Sequence, residues 1–320
     1  MGTMNAAVVS SFDEPPHYQA HETPQPLSVD EILVDVLAVG LHPRVRSGAA
    51  GSHYTSSGQL PMIPGVDGVG RRDNGQLIYF VADDAMTGTM SEKAVVDLRR
   101  AIELPRDIDI IKVAAAMNPA MSAWVALRRR VPLEPGQSVL VLGATGNAGS
   151  MAVQIAKRLG ASRVVGAGRD ASRLATLPSL GADDVVQLGT DNSSAALVAA
   201  AANVDIVVDY LWGVPAQQAM MDLLTGRLDR SHELNWIQIG AIAGPTIELP
   251  SVALRSSNFR VQGNGQGAVS AAAYLKELPS LVEEIDAGTL KITTDTHPLR
   301  DVETIWRLTG EPGVRTVLIP

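Results

Sequence analysis

The most conspicuous absence in the sequence is cysteine, since none occurs among the 320 residues. Disulfide bonds are therefore excluded, and so is every zinc site that depends on a thiolate ligand. A chain without cysteine is compatible with a reducing cytosol, and we expect a cytoplasmic location. The length alone is sufficient for two domains.

The sequence also lacks an excess of basic charge and a long apolar run. Its 26 Lys and Arg residues are outnumbered by 34 Asp and Glu residues, which gives a net charge of −8. An extended surface for nucleic acid is therefore not expected. No apolar run approaches the length of a membrane span, and the N-terminus has no apolar signal-peptide region. We expect a soluble protein that binds neither nucleic acid nor a membrane.

The most informative stretch is a short apolar run followed by three glycines and a helical pattern. Residues 139–142 are uncharged, as suits a strand buried on both faces. Gly143, Gly146 and Gly149 follow, and apolar residues then recur at helical spacing over 152–159. A strand, a glycine turn and a helix together form the unit that binds a dinucleotide pyrophosphate. The glycines let the backbone approach the phosphates, and the helix N-terminus presents free N–H groups.

The glycine spacing leaves an alternative open. It reads G-x-x-G-x-x-G, whereas most dinucleotide-binding dehydrogenases have G-x-G-x-x-G. A glycine-rich turn that binds no nucleotide is therefore the competing interpretation. A Walker-type P-loop is excluded, because no Gly-Lys-Ser/Thr closes the cluster.

The chain on either side of this unit shows two kinds of pattern. Residues 4–100 are predicted to be β-rich, with a strand at 31–41 and a long aperiodic loop at 42–60. Helices are predicted at 110–117, at 121–130 and around 271–287. From residue 139 onward strands and helices alternate, which indicates a parallel sheet with right-handed crossovers.

Seven segments carry a resemblance that covers nearly the whole chain. They are residues 41–48, 61–70, 91–96, 117–127, 133–149, 180–186 and 236–240. In this order they resemble the zinc-free medium-chain dehydrogenase/reductases, in the quinone oxidoreductase and enoyl reductase branch. The resemblance implies an α/β protein with two domains. By this resemblance we expect a GroES-like, β-rich catalytic domain comprising residues 1–118 and 265–320 and a Rossmann domain with a doubly wound parallel sheet comprising 119–264. The resemblance also implies an active site in the cleft.

The resemblance also bears on metal. Zinc-containing relatives carry Gly-His-Glu where this chain reads Gly-Val-Asp, so that Val66 stands at the ligand position. A site made from His42, His53 and Asp67 is the remaining alternative, although no two histidines have metal-ligand spacing. No metal is therefore expected. Without a Lewis acid, hydride addition to an already polarised acceptor is favoured, such as a quinone or an enone.

NADPH is the expected cofactor. An NAD site usually places a carboxylate about 20 residues beyond the glycines, to bind the ribose 2′-hydroxyl. Here Arg169 stands at that position, and Arg173 matches a basic residue that relatives direct at the 2′-phosphate. Asp170 fits a helix N-cap, where it would point into its own helix. The alternative is that both arginines are solvated charges at a helix start.

The glycine turn and the resemblance together give the predicted cofactor-binding residues. They are Gly143, Thr145, Gly146, Asn147, Ala148, Gly149, Gly168, Arg169, Arg173, Tyr210, Gly240, Ala241, Ile242 and Asn264. Tyr210 could instead be an ordinary aromatic at a strand end, and we expect Trp212 to serve packing.

Catalytic residues are the least well defined by the sequence. Tyr54, in the long loop, is the candidate proton donor, because a phenol can hydrogen-bond a developing oxyanion and relay a proton. An exposed loop tyrosine without such a role is the alternative. Asn118 resembles the enoyl reductases, but it could equally be a helix cap. The Asn-x-x-Asp-x-Tyr of quinone oxidoreductases reads Val39, His42 and Arg44 here, so that constellation does not carry over.

These observations predict an NADPH-dependent, zinc-independent reductase of quinones or α,β-unsaturated carbonyls. An enoyl-thioester reductase of the same fold and a non-catalytic NADPH-binding sensor are the alternatives. Relatives often form homodimers by pairing the last edge strand of the Rossmann sheet, and residues 259–262 could do so.

Overall fold

The structure is a computed structural model that describes residues 2–82, 87–308, 310–311 and 313–320. Contacts between Cα atoms divide the chain into two units. The β unit comprises Met1–Asn118 and Ala271–Pro320, and the α/β unit comprises Pro119–Ser270. The domain boundaries expected from the sequence, 118/119 and 264/265, stay a prediction about independent folding.

The β unit consists mainly of strands. Its strands, numbered with those of the whole chain, are β1 (Thr3–Val8), β2 (His17–Glu22), β3 (Glu31–Leu41), β4 (Asp67–Arg71), β5 (Leu77–Val81), β6 (Lys93–Asp97), β7 (Ala101–Glu103), β14 (Thr293–Pro298) and β15 (Val314–Ile319). Its helices are α1 (Pro43–Ala49), the first part of α2 (Ile110–Val125), α8 (Ala271–Leu275), α9 (Leu278–Asp286) and α10 (Val302–Arg307). Short 3₁₀ turns occur at Leu98–Arg100 and Leu299–Asp301.

Strand β3 organises this unit. Its 11 residues pair with β4, β6 and β15, all antiparallel. The sheet runs in the order β14-β15-β3-β4-β5-β7, with β6 paired to β3, while β1 and β2 form a separate pair. Val34, Val36 and Ala38 of β3 are buried, as the alternating sequence pattern predicts. The core of the β unit is therefore built around the inward face of β3.

Three local expectations for the β unit are wrong. The stretch expected to be an aperiodic loop contains helix α1, whose Val45 and Ala49 are buried one helical turn apart. Strand β2 lies in a polar, proline-rich passage for which no strand was predicted, and it is held by pairing with β1 along its whole length. The single helix expected at 271–287 is divided into α8 and α9, with a proline in the first turn of α9.

The α/β unit alternates strands and helices. Its strands are β8 (Ser138–Leu142), β9 (Arg163–Gly168), β10 (Asp184–Gln187), β11 (Ile206–Asp209), β12 (Leu234–Gln238) and β13 (Phe259–Gly263). Its helices are the second part of α2, α3 (Asn147–Arg158), α4 (Ala171–Leu174), α5 (Ser193–Ala201), α6 (Gly213–Gly226) and α7 (Ser251–Arg255), with a π-helical turn at Ala126–Arg130 and a 3₁₀ turn at Leu177–Leu180.

The sheet of the α/β unit is parallel and doubly wound. The strand order is β10-β9-β8-β11-β12-β13, so that successive strands lead away from β8 first in one direction and then in the other. This reversal places a crevice between the carboxyl ends of β8 and β11, where open α/β sheets bind their ligands. The predicted fold class, a β-rich unit together with a doubly wound α/β unit, is confirmed.

Helix α2 differs from the sequence-based expectation in two ways. The two helices predicted around Pro119 are one helix, with the proline inside it. With the π-helical turn it forms a 21-residue segment with a mean hydropathy of 1.4 over its most apolar window. By length and composition this segment could cross a membrane, which corrects the expectation that no apolar run reaches that length. Of that window 72% is buried inside the protein, as in a core helix of a soluble protein.

Asp205 links the amino ends of two neighbouring strands of the parallel sheet, β8 and β11. Its carboxylate accepts hydrogen bonds from the backbone N–H of Ser138 at 2.7 Å and from the hydroxyl of Ser138 at 2.8 Å. His232 Nε2 lies 2.7 Å from the other carboxylate oxygen. Burial acts to raise the pKa of Asp205, but the bonds from Ser138 and His232 outweigh it and hold this pKa below the ordinary value. The start of β8 is thereby fixed to the start of β11.

We predict that Asp205→Asn lowers the free energy of unfolding at pH 7 by about 1–3 kcal/mol, because a charged acceptor of several hydrogen bonds is lost. Since the folded-state pKa of Asp205 is depressed, its stabilisation is present at neutral pH and is lost as the pH falls through that pKa. Urea unfolding at a series of pH values measures both effects. The difference between variant and wild type should shrink below about pH 4, the ordinary range of an aspartate pKa. Equal stabilities at pH 7 would contradict the prediction.

Candidate functional site

The turn after β8 requires two of its three glycines for reasons internal to the fold. Gly143 has a φ of +82°, which places it in the left-handed region. A Cβ at Gly149 would lie 2.1 Å from the carbonyl oxygen of Gly143. The backbone N–H groups of Gly143 and Ala144 both donate to the carbonyl of Ala167, each at 2.9 Å. The turn is thus packed tightly between the end of β9 and the start of α3.

Gly146 is different, because none of the described residues would clash with a side chain there. Its φ of −80° and ψ of 165° suit any residue, and it is exposed at the N-cap of α3. A Cβ would meet only the carbonyl oxygen of Gly143, at 3.5 Å. The missing side chain leaves the N-terminus of α3 open, beside the first-turn residues Asn147 and Ala148. That opening fits a pyrophosphate, which needs close approach to backbone N–H groups at a helix start.

Thr145 and Gly168 lie against each other at the same edge of the sheet. A Cβ at Gly168 would come within 2.6 Å of the Thr145 methyl group and 2.7 Å of its hydroxyl oxygen. Glycine at the end of β9 therefore lets the Thr145 side chain lie across that strand. The structure brings together the glycine turn and the end of β9, as the predicted cofactor site requires.

Arg169 and Arg173 follow β9 and have different surroundings. Arg169 is exposed, and Arg173 is partly buried in α4. Asp170 caps α4 by accepting from the backbone N–H of Arg173 at 3.1 Å, as predicted, and so points into its own helix. Burial lowers the pKa of the Arg173 guanidinium, with the charge of Asp170 opposing this. Among the described residues, the buried Nε of Arg173 has no hydrogen-bond partner, a property shared by the Nε atoms of Arg72, Arg227 and Arg315.

Asp209, at the end of β11, was not identified from the sequence. Its buried carboxylate accepts from the backbone N–H of Leu211 at 2.7 Å, from that of Trp212 at 3.1 Å and from the indole of Trp236 at 3.0 Å. Burial raises the pKa of Asp209. The sequence feature that could have indicated its role is an acidic residue at the end of an apolar strand, in Val-Asp-Ile-Val-Val-Asp-Tyr.

Trp212, three residues after Asp209, has a strained backbone conformation. This residue has a φ of +50° and a ψ of −163°, a combination that is rare for a bulky side chain. Its ring packs against the core of the α/β unit, as predicted. The hydrogen bond from its backbone N–H to Asp209 helps to hold it in this conformation.

The loops after β8, β11 and β12 meet at the switch point of the sheet. A Cβ at Gly240 would lie 2.7 Å from the carbonyl oxygen of Tyr210, and one at Gly143 would lie 3.3 Å from Tyr210 Cβ. The carbonyl of Asp209 accepts from the backbone N–H of Gly240 at 3.1 Å. Ala241 and Ile242 follow on the surface, with Ile242 75% exposed. Five predicted cofactor-binding positions therefore lie at this edge.

Ser122 connects Tyr210 with Asn264. The Ser122 hydroxyl donates to the carbonyl of Pro119 at 3.0 Å, so the Tyr210 hydroxyl donates to Ser122 Oγ at 3.0 Å. Burial raises the pKa of the Tyr210 phenol, which stays protonated. Asn264 Nδ2 donates to the carbonyl of Ser122 at 2.9 Å. Tyr210 and Asn264, predicted separately from the sequence, are thus fixed to one residue of α2.

A polar cluster of buried side chains lies within the β unit. Asp67 is buried between His42, whose Nε2 lies 3.2 Å from one carboxylate oxygen, and Tyr79, whose hydroxyl donates to the other at 2.7 Å. Burial lowers the pKa of His42, against the influence of Asp67, and keeps its imidazole neutral. Burial likewise lowers the pKa of Arg315, to about 10. The cluster joins β4, β5 and β15 to the residue that follows β3.

The alternative metal site from the sequence is only partly assembled. His42 and Asp67 are in contact, but the His53 ring faces Thr55, with Nδ1 2.8 Å from the hydroxyl, and stacks on Tyr54 at 4.4 Å. In the part of the chain that the structure describes, no group of three or more His, Asp or Glu side chains is placed to hold a metal ion.

The two predicted catalytic residues stay predictions. Tyr54 is 73% exposed, beside His53. Asn118 lies within α2, eight residues after its start, so the alternative interpretation of Asn118 as a helix cap is wrong.

A doubly wound sheet with a glycine turn at its switch point is typical of dinucleotide-binding α/β proteins. Comparison with known proteins places the chain more narrowly. Residues 148–227 match the model of the zinc-binding dehydrogenase family. A probable NADPH-dependent quinone reductase of Emericella nidulans is 29% identical over 363 aligned positions, which cover 99% of this chain and 100% of the relative.

Solved structures share the fold of this chain. The quinone oxidoreductase of Thermus thermophilus has a TM-score of 0.81 at 24% identity, covering 99% of this chain and 100% of that one. A putative NADPH:quinone reductase of Bacillus thuringiensis has a TM-score of 0.83 at 18% identity, with full coverage of both chains. The family match and the relative in Emericella nidulans confirm the predicted resemblance to the medium-chain dehydrogenase/reductases, in their quinone oxidoreductase-like branch.

We predict that Gly146→Ala and Gly149→Ala separate cofactor binding from folding. Gly146→Ala should change the free energy of unfolding by less than about 1 kcal/mol, because the site has room and only an N-cap preference is affected. It should weaken binding of NADPH, the predicted cofactor, by at least about tenfold, since the added methyl group enters the opening at α3. Gly149→Ala should cost about 1–3 kcal/mol of stability or more, owing to its clash with Gly143.

Thermal unfolding and NADPH fluorescence titration measure these two quantities. If Gly146→Ala bound NADPH as tightly as the wild type, the opening at α3 would not be a phosphate site.

We also predict that neutral His42 makes stability depend on pH. Its folded-state pKa is lowered by burial, so protons bind preferentially to the unfolded state, and stability falls as the pH drops below about 6.5, the ordinary histidine value. In His42→Gln this decline should be shallower between pH 7.5 and about 5.5. The two slopes can be compared by chemical unfolding across this range, and equal slopes would show that His42 does not contribute.

Proposed function

We propose that the protein is an NADPH-dependent, zinc-independent oxidoreductase that reduces a quinone or an α,β-unsaturated carbonyl compound. The observation that carries the proposal is the open helix start at Gly146, next to a sheet switch point. The fold itself does not require glycine there, whereas a bound pyrophosphate does. When bound, NADPH supplies a hydride from C4 of its nicotinamide ring.

The positions of the predicted residues in the structure suggest which part of NADPH each of them binds. The turn Gly143–Gly149 and the first N–H groups of α3 bind the pyrophosphate. Arg169 and Arg173 bind the 2′-phosphate, and their position directly after β9 supports this role. Tyr210, Gly240 and Asn264 lie at the switch point, where the nicotinamide half of the cofactor would be bound.

The acceptor class is supported by the chemistry of the residues and by the relatives. The chain has no cysteine and has Val66 in place of a ligand histidine, which favours an acceptor that needs no metal for activation. The relative in Emericella nidulans is named a quinone reductase. A chloroplastic relative in Arabidopsis thaliana, 25% identical over 51% of this chain and 46% of its own length, is named an alkenal/one oxidoreductase. Quinones and enones both accept hydride at a carbonyl-conjugated system.

The proton that completes the reduction comes from Tyr54 or from water in this proposal. Tyr54 is accessible, and a phenol can donate a hydrogen bond to a developing oxyanion. Asn118 is the second candidate for contact with substrate. We further propose that two copies associate through the edge strand β13 and that the protein acts in the cytoplasm.

Loss of reduced-nicotinamide absorbance tests the proposal, with NADPH and NADH each offered a panel of quinones, enones and enoyl thioesters. Oxidation of NADPH by a quinone or an enone supports it. Turnover of enoyl thioesters alone would assign the alternative reductase, and NADPH binding without turnover would assign a sensor. Failure to bind either nucleotide would overturn the proposal.

We predict that Arg173→Ala raises the KM for NADPH by about 10–100-fold, the equivalent of one charge-assisted phosphate contact. Arg169→Ala should act in the same direction. The KM for NADH should stay within about twofold in both variants, because NADH lacks the phosphate, and it therefore serves as the internal control. Initial-rate kinetics with both cofactors provide the measurement, and an equal loss for NADH would contradict the assignment.

A further inference from the structure

Helix α2 ends in a π-helical turn that carries three consecutive arginines, Arg128, Arg129 and Arg130. The first of these lies over the ring of Trp124, with its guanidinium carbon 4.9 Å from the ring centroid. Arg130 instead reaches the segment that follows β13. π-helical turns are rare, and those that do occur are frequently found at functional sites.

Arg130 binds two backbone carbonyls of that segment. Its Nε donates to the carbonyl of Gly263 at 3.1 Å, and its Nη1 donates to the carbonyl of Ala268 at 3.2 Å. The segment 263–268 reads Gly-Asn-Gly-Gln-Gly-Ala, so half of its residues have no side chain to pack. Gly267 has a φ of +90°, and a Cβ there would meet nothing within 4 Å. The segment therefore depends on external contacts for its conformation.

Asn264 lies between the two carbonyls that Arg130 binds. Its backbone N–H donates to the carbonyl of Gln238 at 2.8 Å, and its side chain donates to the carbonyl of Ser122 at 2.9 Å. Ser122 in turn accepts the hydroxyl of Tyr210. Asn264 is thus held by α2 and β12, while Arg130 fixes the backbone on both sides of it.

We propose that Arg130 is a positioning residue for the cofactor site, which it serves by holding segment 263–268 and hence the orientation of Asn264. This inference rests on the proposed function, because it assumes that Asn264 lies at the nicotinamide end of bound NADPH. Arginine suits the task since its planar fork offers several donors in fixed directions, so that it can bond two carbonyls at once. Lysine has a single charged group at the end of a flexible chain and cannot reproduce this geometry.

A role limited to stability would have a different signature. Arg130 is partly exposed, and water can satisfy the two carbonyls when the guanidinium is removed. The fold should therefore lose little, whereas the segment should become more mobile and Asn264 less well aligned. A misalignment of about 1 Å can reduce turnover by as much as about 100-fold.

The test compares Arg130→Ala and Arg130→Lys with Arg129→Ala, which removes the same charge from the adjacent, exposed position. Hydrogen exchange of residues 263–268 and fluorescence titration of NADPH are measured on the full chain, together with kcat and KM for a quinone acceptor. We expect exchange in this segment to be at least about tenfold faster in Arg130→Ala. The NADPH Kd should rise about three- to tenfold, and kcat should fall by a larger factor.

Arg130→Lys should lie between Arg130→Ala and the wild type, because its ammonium group keeps the charge but lacks the planar fork that holds both carbonyls in fixed directions. Arg129→Ala should match the wild type in all these measurements. The inference is overturned if Arg130→Ala matches Arg129→Ala in exchange and in Kd while the wild type binds NADPH. It is also overturned if Arg130→Lys restores every value, since charge alone would then suffice. A wild type that does not bind NADPH would overturn the proposed function itself.

Discussion

The carboxylate of Asp209 holds together the edge of the sheet on which the candidate cofactor site depends. A buried charge is tolerated only when it is well hydrogen-bonded, and this one receives two backbone N–H groups and the Trp236 indole. Those bonds fix the chain directly after β11 and keep Trp212 in its strained conformation. Tyr210, between them, is thereby placed against Gly143 and Gly240. Asp209 thus determines the geometry of the switch point, while its own carboxylate is hydrogen-bonded to neighbouring protein groups.

Sequence patterns predicted the α/β unit well, because its signals are local. The strand, glycine turn and helix around Gly143–Gly149 and the N-cap Asp170 follow from periodicity and capping preferences. The sequence did not reveal strand β2, because its stability comes from pairing with β1 rather than from its own polar residues. The roles of Asp209 and Arg130 were equally hidden, since both depend on partners that are distant in the sequence.

Three arginines of the α/β unit illustrate how the surroundings decide what a guanidinium does. Arg227 is buried and donates to the carbonyls of Ala202 and Val204, which commits it to the fold. Arg130 bonds two carbonyls of a glycine-rich segment and so restrains a part of the chain with little packing of its own. Arg173 lies in α4 directly after β9, partly buried, where the proposed 2′-phosphate site would be. The same side chain can therefore stabilise, position or bind, according to the acceptors that the backbone leaves within reach.

Two aspartates border the four-residue strand β11, and they serve opposite edges of the sheet. Asp205 closes the amino edge through Ser138 and His232, while Asp209 organises the carboxyl edge and its loops. Their tasks are separated by the length of one short strand, about 13 Å. Mutations that accumulate around Asp205 can raise or lower the robustness of the scaffold without disturbing the loops at the other end. Substitutions that tune stability and substitutions that tune ligand binding therefore belong to opposite edges of one sheet.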